Sequence, residues 1–354
     1  MATKSIFLTS THGSSGKSAI AIGSYLLLKE SKHKPGYFKP IGDSQTIEPQ
    51  NLTDKDVSTI SVVVSRSFPK EVICPQFLTP GYCLDEIFPD ETPVVLEKIL
   101  DAYHQIAAKT DIVLVEGNHN FNQYSMVNLD DLHLAKALGS KLVICAPISD
   151  DNDFDSVIMA YRMAKIHQVP VLGTILSGIT PYADTRIETI YKPLLIRHGI
   201  KYLGGLKNAK QLERPTIAEI IEVIAGKLLV GDYIKVKNQM IESFAIGAMG
   251  TDSALSFLRK NYNQCIITGG DRGDLILAAL EMNTVLMILT GNLHPEASVI
   301  EAAEKKGVPL VLTAMDTYSV TESLKKIHTH IQPEEIEACR TQVEQHIAWK
   351  SFLE

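Results

Sequence analysis

Short, predominantly apolar and β-branched runs alternate with longer stretches whose apolar positions recur at helical spacing along most of this 354-residue chain. Runs of the first kind lie at 5–9, 36–38, 112–115, 142–146 and 171–176, and they predict strands buried on both faces. The second pattern predicts helices at 17–30, 93–108, 129–138, 153–166 and 187–198. Hydrophobic strands separated by helices imply a parallel sheet covered on both sides, an α/β fold. The alternation restarts after the polar stretch Lys207-Asn208-Ala209-Lys210. A helix at 216–226 leads through an irregular stretch near Lys235 into helix 252–260, strand 265–268, helix 274–281, strand 285–289, helix 295–306 and strand 308–313. The expected organisation is a larger sheet domain over 1–212, a smaller α/β domain over 213–330 and a closing helix within 331–354. That last helix carries Ile336, Cys339, Val343 and Ile347 on one face, suited to docking on the core or on a partner.

Composition narrows the class. Apolar content of 45% and charged content of 21% are ordinary for a soluble globular chain. No run reaches the roughly 18–20 apolar residues of a membrane span, and Met1-Ala2-Thr3-Lys4 leads straight into a strand without the apolar core of a signal peptide. A net charge of −7 argues against a general nucleic-acid surface, which needs basic patches. The five cysteines are dispersed without a C-x-x-C pair, the usage of reduced thiols in the cytoplasm.

The chemistry starts near the N-terminus. Thr11-His12-Gly13-Ser14-Ser15-Gly16-Lys17-Ser18 follows the first strand and opens the first helix, the setting of a phosphate-binding P-loop. Backbone N–H groups at such a turn and helix start offer partial positive charge to an anion. Lys17 adds a full charge for the phosphates, and the Ser18 hydroxyl is a ligand for Mg²⁺. Thr11 stands where the motif usually begins with glycine. Glu116 emerges at the carboxyl end of strand 112–115, where ligands bind in open α/β sheets, as a metal ligand or as a strand-end carboxylate with a backbone partner. Phe38-Lys39-Pro40-Ile41 delivers Lys39 at a strand end, either to neutralise phosphate or an anionic substrate or as a surface lysine. The polar segment 42–56 has the character of a substrate or switch loop, with Asp54 and Asp56 as metal ligands or helix caps.

In the second domain, Gly269-Gly270-Asp271-Arg272-Gly273-Asp274 follows one strand and opens a helix. Gly270, Asp271, Arg272 and Asp274 are candidates for an effector site, and an Arg272–aspartate pair stiffening the turn is the alternative. Thr290-Gly291-Asn292-Leu293-His294 follows the next strand, so the two loops are placed to flank one pocket. His12, His119 and His133 lie near the first site, with no catalytic role assigned.

Thr11 to Ser18, Phe38-Lys39-Pro40-Ile41 and Val113-Leu114-Val115-Glu116-Gly117 resemble, in order and spacing, the dethiobiotin synthetase-like P-loop family. The later Ile267-Thr268-Gly269-Gly270-Asp271-Arg272-Gly273-Asp274 resembles the DRTGG domain. The pairing is similar to the N-terminal regulatory half of long bacterial phosphate acetyltransferases, without their acetyl-transfer domain. The resemblance implies ATP and Mg²⁺ as cofactors, with Thr11 to Ser18 around the phosphates and Lys17 and Lys39 as the catalytic lysines. It makes Ser18, Asp56 and Glu116 the metal ligands, Asp56 being preferred over Asp54 because Asp56-Val57-Ser58-Thr59-Ile60 matches the family's segment. Ser177 takes the place of the asparagine that reads adenine. Asn118-His119-Asn120-Phe121 replaces the synthetases' Gly-rich substrate run and Asp43 replaces a small residue, so dethiobiotin synthesis is not expected. The implied function is an ATPase, or phosphoryl transfer to a carboxylate or carbamate. The alternative is a non-catalytic nucleotide or metabolite sensor that controls a metabolic enzyme partner. A homo-oligomer is expected, with no nucleic-acid or membrane partner.

Overall fold

The computed structural model describes residues 3–13, 15–42, 45–47, 52–64, 68–78, 83–179, 181–207, 214–247, 263–325, 327 and 330–354. The chain divides into two units, Met1–Glu213 with His330–Glu354, and Arg214–Thr329.

In the first unit the predicted apolar runs are strands β1 (Lys4–Ser10), β2 (Pro35–Phe38), β7 (Ile112–Glu116), β8 (Lys141–Pro147) and β9 (Val171–Ile179). Between β2 and β7 lie the short strands β3 (Ile41–Gly42), β4 (Gln45–Ile47), β5 (Leu52–Asp54) and β6 (Gln76–Phe77), paired β3 with β6 and β4 with β5. The main sheet adds β10 (Tyr202–Lys207), in the order β10-β9-β8-β1-β7-β2, all parallel. Strand order reverses around β1, which places the ligand crevice of such a sheet at the carboxyl ends of β1 and its neighbours.

Alternation along the buried strands feeds two cores. Ile6, Leu8, Leu114, Val143 and Cys145 point to one face, where helix α1 (Lys17–Glu30) and helix α2 (Lys55–Val64) supply Ile20, Ile22, Val57 and Ile60. Phe7, Val113, Val115, Leu142 and Ile144 point to the other. That face is covered by helices α4 (Thr92–Ala107), α5 (Asp131–Ala137) and α6 (Asp151–Ile166), with the four-residue α3 (Lys70–Ile73) preceding α4. The expected helix 187–198 is longer and less regular. It runs as α7 (Pro181–Arg186), a π-turn at Ile187–Tyr191 and α8 (Lys192–Arg197). Helix 153–166 begins earlier, at Asp151, because Asp150 and Asp153 form a reciprocal capping box.

The closing helix, Ile336–His346, docks on α1. Gly23 makes the approach possible: a Cβ there would lie 2.6 Å from both the Cys339 carbonyl oxygen and Val343 Cγ2. Arg340 donates to both oxygens of Glu30 at the contact's edge, at 2.6 and 2.8 Å.

In the second unit, β12 (Ser243–Ile246), β13 (Gln264–Gly269), β14 (Thr284–Thr290) and β15 (Leu310–Leu312) run parallel, and β11 (Lys227–Val230) joins β15 antiparallel. Ile266, Met287 and Leu289 face helices Gly273–Leu280 and Ala297–Lys306. Cys265, Ile267, Leu286 and Ile288 face helices Ile217–Val223 and Thr317–Lys325. The helix expected at 252–260 lies outside the described residues. Strands β11 and β12 lie in the stretch after the expected helix 216–226 that the pattern left irregular: both are short edge strands, too brief to show a period.

Candidate functional site

The ends of β1, β2 and β7 lie side by side, with Leu8 in register with Glu116 and Phe38 with Val115. Each strand therefore delivers its next polar residue to one place. After β1 the chain turns through the loop, ties Thr11 N–H to the Cys145 carbonyl at 3.2 Å, and enters α1 at Gly16 with φ 76°. That left-handed conformation favours glycine. A Cβ on Gly16 would also lie 2.9 Å from Leu206 Cδ1 and 4.0 Å from Ser177 Cβ, so the ends of β9 and β10 support the turn. His12 is exposed, Gly13 faces open space, and Ser14 lies outside the described residues. Lys17 is buried at the first helical position. The hydroxyls of Ser15 and Ser177 are both buried and without a hydrogen-bond partner among the described residues. Buried polar atoms left unpaired are unfavourable, and two beside one loop mark a place for a ligand's polar groups.

Ser18 donates its hydroxyl to Glu116 Oε1 at 2.7 Å, and Tyr37 donates to Glu116 Oε2 at 2.8 Å. Glu116 is almost fully buried, and burial raises its pKa against the lowering influence of Lys39 and Lys17; Asp56 adds to the rise. Tyr37 is pushed well above the usual phenol range by its own burial and by Glu116.

Lys39 leaves the end of β2 into a buried acidic pair, 3.0 Å from Asp54 Oδ2 and 2.8 Å from Asp56 Oδ2. The two carboxylates divide their work. Asp54 Oδ1 accepts the backbone N–H groups of Asp56 and Val57 at 2.8 and 3.2 Å, capping α2. Asp56, in the first turn of α2, keeps both oxygens for side chains: Lys39 on one, His330 Nδ1 at 2.9 Å on the other. Burial alone would raise the Asp56 pKa, but Lys39 and His330 outweigh it and hold the carboxyl well below its usual range. The surface alternative for Lys39 is overturned by this burial, and the anions it meets are the chain's own. Asp43 lies outside the described residues.

The segment after Glu116 is tied down rather than open. Gly117 N–H donates to Leu8 and Phe121 N–H to Ser10. Asp131 accepts Asn118 N–H at 2.8 Å and the Thr9 hydroxyl at 2.5 Å. A Cβ on Gly117 would come 2.4 Å from Asp131 Oδ2, which requires glycine there. Burial pushes the Asp131 pKa up to about 7 despite those two bonds. His133 is held by Asp130, the N-cap of α5, and the His119 backbone N–H donates to Gln123 Oε1 at 3.2 Å.

Ser18, Glu116 and Asp56 offer only oxygen donors, the chemistry of a hard divalent cation, and Glu116 lies within the fields of Lys17, Lys39 and Asp56. The set fits Mg²⁺ on donor type. No cluster of three or more His, Cys, Asp or Glu side chains able to hold a metal by themselves occurs among the described residues. Tyr37, Asp131 and His330 are site neighbours that the sequence reading did not single out.

In the second unit, Gly270 lets the two strand-end loops meet: a Cβ there would lie 1.7 Å from the Leu293 carbonyl oxygen. Arg272 occupies the N-cap position of helix Gly273–Leu280 without a side-chain capping bond, and its Nη1 donates to the Gly247 carbonyl at 2.7 Å. Asp271 packs over Gly269, and Asp274 lies in the helix's first turn.

A parallel α/β sheet with a glycine turn, lysine and serine at the start of its first helix defines a P-loop NTPase-like class of protein. The chain belongs to the AAA domain family (AAA_26), which matches residues 4–216, and the DRTGG domain matches residues 219–327. It is 25% identical over 355 residues to a phosphate acetyltransferase of Synechocystis sp., covering 94% of this chain and 48% of that protein. The chain thus spans about half the length of that relative. It is 22% identical over 223 residues to the ATP-dependent dethiobiotin synthetase of Nitrosopumilus maritimus, covering 62% of this chain and 95% of that one. Among solved structures, the septum site-determining protein MinD of Pyrococcus horikoshii, complexed with Mg-ADP, aligns at 14% identity and a TM-score of 0.35, over 58% of this chain and 81% of that one. No helix among the described residues is long and apolar enough to cross a membrane.

Proposed function

We propose that the first unit binds Mg-ATP at the loop Thr11–Ser18 and either hydrolyses it or transfers its phosphoryl group to a carboxylate or carbamate. The observation that carries this reading is the Ser18–Glu116 contact at 2.7 Å, set beside buried Lys17 and the unpartnered hydroxyls of Ser15 and Ser177. Lys17 and the loop's backbone N–H groups hold the phosphates, while Ser18, Glu116 and Asp56 hold the metal. Bound Mg²⁺ would neutralise charge on the phosphates and orient them. Tyr37 fixes the Glu116 carboxylate, Lys39 fixes Asp56, and Ser177 lines the loop from β9. Catalysis in such a site is positioning and charge neutralisation by parts already in place.

A second reading has an observation of its own. Lys39 is spent on Asp54 and Asp56, which leaves the expected substrate lysine committed within the protein. This supports a sensor that binds nucleotide and controls a metabolic enzyme through protein contacts, with the second unit as its regulatory module. Gly270, Asp271, Arg272 and Asp274 would then form the effector loop. Five buried free cysteines support a cytoplasmic setting, and a homo-oligomer belongs to the same reading.

The test is ATP binding and turnover by the full chain and by Lys17→Ala, with and without small carboxylates. The expected outcome is binding lost in Lys17→Ala. Turnover by the wild type selects the enzyme and binding without turnover selects the sensor. Equal ATP binding by both proteins refutes the P-loop assignment.

A further inference from the structure

The segment that re-enters the first unit at His330 lies outside both family matches, and it is anchored on the two helices whose first turns carry the candidate ligands. His330 is buried, and its Nδ1 meets Asp56 Oδ1 at 2.9 Å. One residue on, the Ile331 carbonyl accepts the Thr59 hydroxyl at 2.8 Å. Asp56 and Thr59 are three apart on α2, so they share a face and hold two consecutive residues of the segment. Gln332 then donates its side-chain amide to the His330 carbonyl at 3.2 Å and opens a capping box with Glu335. The helix that follows packs on α1 across Gly23. Since α1 begins with Lys17 and Ser18, one stretch of chain holds both helices, through buried His330 and Ile331 on α2 and through Cys339 and Val343 on α1.

On this basis, and resting on the Mg-ATP reading above, we infer that His330 is a positioning residue for Asp56. Asp56 has two side-chain partners on opposite oxygens, Lys39 and His330, so its carboxylate has one orientation available. Lys39 comes from the end of β2 and would hold the carboxyl whether or not the C-terminal segment were in place. His330 makes that orientation depend on the segment as well. A metal-directed carboxylate is aimed by the groups that hydrogen-bond it, and removing such an outer partner lowers metal affinity by about 10–100-fold. The ring also gives the chain leaving the second unit a direct hold on the metal side of the site, through a contact wholly inside the first unit.

The experiment uses the full chain and a fluorescent ATP analogue, titrated in EDTA and then against Mg²⁺, for wild type, His330→Ala and His330→Asn. Asparagine places an amide N–H near the position of Nδ1 and keeps the bond to Asp56. His330→Ala is expected to raise the Mg²⁺ concentration for half-saturation about ten-fold while leaving metal-free nucleotide binding unchanged, and His330→Asn is expected to restore it. Emission of Trp349, in the same unit, reports whether each variant is folded. An unchanged Mg²⁺ requirement in His330→Ala overturns the inference. So does an equal loss with and without Mg²⁺, or a folded His330→Asn that restores nothing. Absence of nucleotide binding in the wild type removes the Mg-ATP reading itself, and this inference with it; the other three results leave that reading standing.

Discussion

Lys39→Met tests the buried charge cluster directly, because it keeps most of the apolar stem and removes only the ammonium. In the wild type that ammonium lies 3.0 Å from Asp54 and 2.8 Å from Asp56, with all three side chains buried. Removing one partner from a buried pair strands a charge and costs about 3–5 kcal/mol, or roughly 6–20 °C in melting temperature for a unit of this size. The pH dependence carries the sign. Asp56 has a folded pKa below its ordinary value, so its contribution is complete above the ordinary carboxylate range and is lost as pH falls through the lowered value. Without Lys39, burial still acts on Asp56 and His330 alone opposes it, so the folded pKa rises. The deficit of Lys39→Met is then largest near neutrality and shrinks towards about pH 4, where protonation relieves the stranded carboxylates. Urea unfolding followed by Trp349, the single tryptophan, reads the first unit selectively. A deficit below about 1 kcal/mol, or one equal at both pH values, refutes the reasoning.

Two further outcomes follow from the same geometry. Asp131 has a folded pKa of about 7, above its ordinary 3.8, so the folded state binds the extra proton and wild-type stability falls as pH rises between those values. Asp131→Asn keeps an acceptor for Asn118 N–H and removes the ionisation; its stability relative to wild type should therefore improve from about pH 4 to pH 8, and a flat difference across that range in urea melts contradicts the assignment. Gly23→Val forces a side chain into the Cys339 carbonyl and Val343; overpacking of this kind costs about 1–3 kcal/mol, and limited proteolysis should cut within 333–354 sooner than in wild type. Unchanged protection there would mean that the closing helix is not seated on α1.

What could be read from the chain alone was what the chain states locally. Five strands of the larger sheet show as predominantly apolar runs, and Lys17, Ser18, Lys39 and Glu116 each sit at the end or start of such an element. Strand β10 escaped because Gly204 and Gly205 interrupt its run, and both glycines are demanded by tertiary contacts. Gly204 has φ 122° and a Cβ there would lie 2.0 Å from the His346 carbonyl; Ile179 crowds Gly205. The missed site neighbours have the same explanation. Tyr37 meets Glu116 across 79 positions, Thr9 meets Asp131 across 122, and His330 meets Asp56 across 274. No periodicity or motif encodes a pair that only the folded sheet brings together. The choice between Asp54 and Asp56 was also local in appearance and geometric in fact: both meet Lys39, and two residues along the chain decide which caps α2 and which holds His330.

The electrostatics of the cluster bear on which ligand suits it. Asp54, Asp56 and Glu116 meet Lys17, Lys39 and His330, with Lys39 already engaged by both aspartates and His330 by Asp56. The two carboxylates proposed to face the metal are pushed in opposite directions, Asp56 down by its cationic neighbours and Glu116 up by burial. Asp56 is held by charged partners, while each Glu116 oxygen accepts from a neutral hydroxyl, Ser18 on one and Tyr37 on the other. A bare polyphosphate would add negative charge beside three buried carboxylates and find Lys39 already committed to the Asp54–Asp56 pair. A nucleotide carrying its divalent cation would bring positive charge to Glu116, with Ser18 and Glu116 as oxygen groups that would hold that cation. On the Mg-ATP reading these buried carboxylates would favour metal-bound over metal-free nucleotide, so the Mg²⁺ requirement, rather than nucleotide affinity alone, is the quantity that variants around Asp56 should move.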